Sequence, residues 1–139
     1  MKIDCFLDTN VLVYAAIGKH DEPERHAVAR DLVLNQKFGV SAQTLAEFYV
    51  AVLRKAKVPL SVSETDNWID ELSSLPNTAV DEEIVRDGIF LSRKYGLKYY
   101  DAALLAAAAR LGANIFYSED LNHGQKYGSV TVINPFKAQ

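Results

Sequence analysis

Short apolar runs separated by longer, helix-patterned stretches constrain the fold of this chain more than any other feature. Ile3 to Leu7, Phe38 to Ser41, Asn114 to Tyr117 and Val130 to Ile133 are brief and largely apolar, the signature of strands covered on both faces. Thr78 to Val80 is a further short candidate. Helices are expected between them. The first runs from Val11 to Ile17 and is closed by Gly18 in left-handed cap geometry. Asp21, Glu22 and Pro23 open the second, which reaches about Asn35. A third, from roughly Gln43 to Ala56, carries the apolar stripe Leu45, Phe48, Tyr49, Val52, Leu53 and Ala56. Ser61 or Ser63 caps the next, with Trp68, Ile69 and Leu72. Asp81 to Tyr95 ends at Gly96, and the alanine-rich Asp101 to Leu111 ends at Gly112. This alternation predicts a three-layer α/β/α sandwich around a mostly parallel central sheet.

A length of 139 residues suits a single domain spanning 1–139. Cys5 is the only cysteine, so no internal disulfide can form and a reducing compartment is expected. Neither a basic leader nor a membrane-length apolar segment is visible, so the expectation is a cytoplasmic protein with no membrane attachment. The net charge of −3 argues against a broad basic surface for duplex nucleic acid. Local basic clusters remain: Arg54, Lys55 and Lys57, and separately Arg93, Lys94 and Lys98. Each is also readable as an ordinary solvated helix end.

Four acids occupy unusual places. Asp8 directly follows the first strand and Asp120 nearly follows the strand ending at Tyr117, so a parallel sheet puts both at one edge, where ligands gather in such folds. Asp101 falls in the first turn of the alanine-rich helix, in line with Leu104, Leu105 and Ala108; a helix-capping acid and a site residue are equally open readings. Glu47 is the one charged residue between Val40 and Leu53. The helical wheel sets it nearly opposite the apolar stripe, as a solvent-facing glutamate or a site residue on an unusually unpolar side. Gathering carboxylates raises their pKa values unless a cation relieves the repulsion. A hard divalent ion such as Mg²⁺ suits an all-oxygen set and can polarise a phosphodiester.

Asn10 and Ser118 are candidates to orient the strand-end acids, and Thr9 to steady the turn after Asp8, alongside plain capping and turn roles. Glu119 is an extra acid or a surface residue, and Asn122 is similarly open. His20, His26 and His123 do not make a zinc set. No Walker phosphate loop or serine nucleophile elbow is present. Asp8 as an aspartyl nucleophile is weakened because Asn10, rather than a second acid, stands two places on.

These residues resemble the PIN-domain ribonucleases, specifically the VapC-like toxins of VapBC toxin–antitoxin pairs. The matching segments are Leu7-Asp8-Thr9-Asn10-Val11-Leu12, Gln43-Thr44-Leu45-Ala46-Glu47-Phe48, Tyr100-Asp101-Ala102-Ala103-Leu104 and Ser118-Glu119-Asp120-Leu121 with Gly124. Val132-Ile133-Asn134-Pro135-Phe136 resembles the family's chain end. The resemblance implies a Mg²⁺-dependent endoribonuclease, with Mn²⁺ as a substitute and Asp8, Glu47, Asp101 and Asp120 as its acidic centre. Asp8 and Asp101 would be the central ligands. Glu47 would hold a second ion or orient water, and Asp120 would complete the set. Attack by water would leave a 5′-phosphate and a 3′-hydroxyl. Arg54, Lys55 and Lys57 would hold the RNA backbone, with Tyr99 or Tyr100 stacking on an unpaired base. Tyr100 stands where the family commonly has tryptophan, which implies altered packing. A homodimer and a VapB-like antitoxin are the implied partners. The rivals are an RNA-processing nuclease without an antitoxin and a non-catalytic binding scaffold.

Overall fold

The computed structural model describes residues 2–55 and 57–137. Among the described residues, six strands form one sheet in the order β3-β2-β1-β4-β6-β5. They are β1 (Cys5–Leu7), β2 (Phe38–Ser41), β3 (Asn77–Thr78), β4 (Ile115–Tyr117), β5 (Lys126–Tyr127) and β6 (Val130–Ile133). All neighbours are parallel except β5, which runs antiparallel to β6. The helices are α1 (Thr9–Ile17), α2 (Pro23–Asn35), α3 (Ala42–Arg54), α4 (Val62–Ser73), α5 (Glu82–Tyr95) and α6 (Tyr99–Arg110).

Period-two alternation along β1 divides the interior into two layers. Phe6 points into a core with Phe116, Ile84 and the buried run Leu104–Ala108. Cys5 and Leu7 point the other way, into a core with Val11, Leu12, Phe48 and Val52. Helices α5 and α6 therefore cover one face, and α1 to α4 the other. This is the expected sandwich. Within α6, only small alanines and two leucines separate the sheet from α5. At Gly88 of α5, an added Cβ would lie 3.1 Å from both Ala103 Cα and Tyr99 Cε1. Glycine lets these helices close at that point.

Several local expectations need correction. The first strand begins at Cys5, because Asp4 instead accepts from the Lys37 backbone N–H through its side chain. Gly18 does follow α1, but at φ −83°, not in the left-handed region. Its role is steric: a Cβ there would sit 2.6 Å from the Tyr14 carbonyl oxygen. Ser61, with Glu64, forms a reciprocal cap on α4, so Ser63 is inside the helix. Leu111 caps α6, and Gly112 (φ 81°) makes the turn just beyond it.

The stripe assigned to α3 is rotated. Thr44, Phe48 and Val52 are buried, whereas Tyr49 and Leu53 are half exposed. Phe48 anchors this orientation by packing its ring 5.6 Å from that of Trp68 on α4. Ala56 lies outside the described residues. The short return strand β5 was not foreseen: two residues are too few for periodicity to register. Among the described residues, no helix is long and apolar enough to cross a membrane.

Candidate active site

The strand order reverses between β1 and β4: the chain leaves β1 toward β2 and β3, then returns to β4 on its other side. Crevices at such switch points, beyond the carboxyl ends of the strands, are where open α/β sheets bind ligands. Leu7 and Tyr117 are register partners at that edge, so the residues that follow them meet. The Asp8 backbone N–H donates to the Tyr117 carbonyl at 3.0 Å. Ser118 Oγ donates to Asp8 Oδ2 at 2.7 Å, and Asp8 Oδ1 accepts from the Thr9 N–H at 2.7 Å. Ser118 Oγ also accepts from the Asp120 N–H at 3.1 Å. One buried hydroxyl thus fixes both strand-end acids: one through its carboxylate, the other through its backbone.

Asp8 is only 7% exposed. Burial pushes its carboxyl up to about 7 against the opposing pull of the Ser118 hydrogen bond, and the charges of Asp120 and Asp101 push it further. Asp101 enters from the first turn of α6, on the opposite face of the sheet from α1. Its pKa is raised by partial burial first, then by Asp120 and Glu47, while Lys98 opposes the rise. Thr9 Oγ1 donates to Glu47 Oε1 at 2.7 Å, and Gln43 Nε2 donates to Glu47 Oε2 at 3.1 Å. The same Gln43 amide donates to the Tyr100 carbonyl at 2.9 Å, tying α3 to the start of α6 across the sheet edge.

Glu47 is therefore not opposite the buried side of α3. It lies in a groove with Ala46, Val50, Ala51 and Arg54 and is turned toward the crevice by Thr9 and Gln43, because the buried side of α3 is shifted toward Thr44. Gln43 is a supporting residue that sequence reasoning did not single out. Its position four residues before Glu47, on the same helix face, was the available signal.

Asp120 is exposed and accepts from Asn10 Nδ2 at 3.2 Å. Asn10 Oδ1 in turn accepts from Lys55 Nζ at 3.3 Å, which brings one cation to the rim of the acidic group. Arg54 lines a groove beside Glu47 and Lys55. Lys57 instead reaches Asp21 at 3.8 Å. Tyr99 packs against Gly88 and edge-on to Tyr100, whose own side is 67% exposed. Glu119 turns away from the acids: it accepts from Tyr14 Oη and, at 3.0 Å, from Arg25 Nε. Asn122 donates to Gln125 within its own loop.

The acids share an edge and feel one another's charge, yet they remain spread. Among the described residues, no three carboxylate, histidine or cysteine side chains converge closely enough to hold a metal ion as they stand. The donor chemistry nevertheless fits a hard divalent cation. Every candidate ligand is a carboxylate oxygen, and Asp8 is buried within reach of the charges of Asp120 and Asp101, a repulsion that a cation would relieve.

The sequence profile of the PIN domain family matches residues 5–128. No curated protein sequence matches significantly. The fold is similar to a toxin–antitoxin complex from Klebsiella pneumoniae, with a TM-score of 0.68 at 17% identity, covering 97% of this chain and 100% of that one. It is similar to VapC20 of Mycobacterium tuberculosis, a sarcin-ricin loop cleaving toxin, with a TM-score of 0.66 at 18% identity over 84% and 90% of the two chains. VapBC2 from Rickettsia felis, solved bound to a DNA fragment from its promoter, gives 0.60 at 19% identity over 92% and 96%.

Proposed function

From the premise that this chain belongs to the PIN domain family, we propose that it is a divalent-metal-dependent endoribonuclease and the toxin of a toxin–antitoxin pair. The observation that carries the proposal is the buried Asp8, fixed by Ser118 and Thr9 and coupled by charge to Asp101 and Asp120 at the sheet's switch point. Asp8 also caps the N-terminus of α1 by accepting from the Thr9 N–H, but a cap does not need burial among like charges, which costs stability.

Asp8 and Asp101 would hold the ion, with Asp120 and Glu47 at its margin. Mg²⁺, or Mn²⁺ in its place, would supply Lewis-acid polarisation of the phosphodiester and charge neutralisation. Glu47 is aimed by Thr9 and Gln43, so it can orient a water molecule and accept its proton. Lys55 stands where a cation can meet a phosphate oxygen, and Arg54 lies beside it. Tyr100, exposed next to Asp101, offers a ring for an unpaired base. An exposed loop in a structured cytoplasmic RNA is the substrate class that suits these contacts, as the Mycobacterium toxin's sarcin-ricin target also suggests.

The toxin role is supported by likeness to toxin–antitoxin structures along nearly the whole chain. The exposed Tyr49, Val50 and Leu53 of α3 form an apolar face of the kind that protein partners cover, and a second copy of this chain is the occupant proposed here. A VapB-like antitoxin would be the inhibitory partner. Purified protein should cut total cellular RNA with Mg²⁺ or Mn²⁺ and stop when the ion is chelated. The double variant Asp8→Asn/Asp101→Asn should be inactive with an unchanged circular dichroism spectrum. Undiminished cutting by that variant, free of contaminating nuclease, would overturn the proposal; mapped cut sites would name the substrate.

A further inference from the structure

One helix surface is not absorbed by the acidic centre. Along α5, Arg86, Ile89, Phe90, Arg93 and Lys94 line a shallow groove of about 600 Å³. Phe90 is 62% exposed. Its ring is flanked by Lys94, whose Nζ lies 5.7 Å from the Phe90 centroid and 5.4 Å from that of Tyr95.

Glu83 and Asp87 lie together in a groove with Arg110 of α6, and Arg110 reaches Glu83 at 3.6 Å and Asp81 at 2.8 Å. Arg110 thus engages the acids on the α6 side, and Arg86, Arg93 and Lys94 line the neighbouring groove. Arg93 and Lys94 have no ion-pair partner among the described residues, and Arg86 has only the solvent-exposed Glu82 at 3.3 Å. An exposed pair of this kind exchanges readily for another anion.

The C-terminal end of α5 leads into the segment that carries Asp101. The chain passes from the last turn of α5 through Gly96, Leu97 and Lys98 straight into the first turn of α6. Lys98 is near enough to Asp101 to stabilise its charge. Tyr99 packs against Gly88 of α5. Residues 86 to 94 extend about 12 Å along the helix, the length of three to four stacked nucleotides.

We infer that this flank of α5 is a second binding surface for single-stranded RNA, on which Phe90 stacks with a base and Arg86, Arg93 and Lys94 take the phosphates. It extends the substrate path beyond the acidic centre and rests on the ribonuclease reading above. Charge complementarity selects the occupant. Three cations around one exposed aromatic match a polyanion with flat bases.

The test separates binding from cleavage. In an Asp101→Asn background with chelator present, fluorescence anisotropy would measure affinity for a labelled unstructured RNA and for a trinucleotide. Phe90→Ala should weaken the long RNA about 10-fold. Arg93→Gln/Lys94→Gln should lower the slope of log affinity against log salt by about 1.4, two phosphate contacts at roughly 0.7 each. Both variants should also weaken binding of the trinucleotide, which the flank is long enough to hold by itself, and in the otherwise wild-type chain should raise KM for long RNA with little change in kcat. Unchanged affinity and salt slope for long RNA would overturn the inference. So would a loss of self-association by Phe90→Ala with RNA binding intact, which would make the surface a protein interface. If the parent binds RNA through these residues but wild-type protein cuts none with Mg²⁺, the ribonuclease proposal fails and the binding surface stands.

Discussion

The two strand-end acids are built in opposite ways. Asp8 is buried, accepts two hydrogen bonds from neighbours fixed by the sheet, and carries a strongly raised pKa. Asp120 is exposed and is held through its side chain by Asn10 alone, itself shared with Lys55. One half of the crevice is therefore rigid and electrostatically strained, while the other half is solvated and adjustable. On the metal-centre proposal, a cation would meet one carboxylate already fixed and others free to adjust, since among the described residues the acids do not converge as they stand.

Three measurements would break or sharpen this contrast. The largest effect is expected from Ser118→Ala, which removes the donor to Asp8 and the acceptor for the Asp120 N–H together. Cleavage should fall about 10- to 100-fold, with a matching rise in the Mg²⁺ concentration needed, the usual cost of losing an orienting partner. Asn10→Ala touches the adjustable half and should cost less than about 10-fold. Equal losses in the two variants, measured as kcat/KM across a Mg²⁺ titration, would erase the distinction between the halves.

The second concerns stability without metal. The Asp8 carboxyl titrates near 4 in an unfolded chain and at about 7 in the folded one. The folded state therefore holds the proton more tightly. Stability is fully present below about pH 4 and declines as pH rises to about 7, by a few kcal/mol at most. Thermal melts in chelator should show this decline for the wild type and a much flatter profile for Asp8→Asn, with the variant melting higher at pH 8. Adding Mg²⁺ at pH 8 should raise the wild-type Tm and leave Asp8→Asn nearly unmoved. A wild-type profile that does not change between pH 4 and 7 would remove the strain assigned to Asp8.

The smallest effect lies far from the site and runs the other way. The Arg110 guanidinium and the Ile84 N–H hold the exposed Asp81 carboxyl down to about 2. Its contribution is present above about pH 4 and is lost as pH falls toward 2. Asp81→Asn should melt lower than wild type at pH 6, with the gap narrowing on acidification below pH 4. A constant gap would show that the cap, not the charge, matters there.

How legible the site was depended on how local its cause is. The placing of Asp8, Asp101 and Asp120 at one edge was readable because chain position fixes them at strand or helix ends. Glu47 does lie beside Ala46, Val50, Ala51 and Arg54 as its helix position implies, but the sequence left open whether that side faces solvent or the acids. Of the stripe Leu45, Phe48, Tyr49, Val52, Leu53 and Ala56, Phe48 and Val52 are buried but Tyr49 and Leu53 are not; helical periodicity admits either edge of the stripe, and packing of Phe48 against Trp68 on α4 turns the Thr44 side inward. Glu119 and Asp120 are adjacent in sequence and chemically alike. Arg25 and Tyr14, both far along the chain, draw one of them out of the site.

The order of short apolar strands and intervening helices was enough to determine the sandwich and its parallel core, because burial on both faces leaves a composition that little else produces. The same order set the edge at which the acids sit. Only the tertiary structure decided the return of the chain across β1, the turn of α3 that aims Glu47, and the Ser118 hydroxyl shared between Asp8 and Asp120. Each depends on contacts between residues distant along the chain, where local propensity is indifferent and close packing chooses.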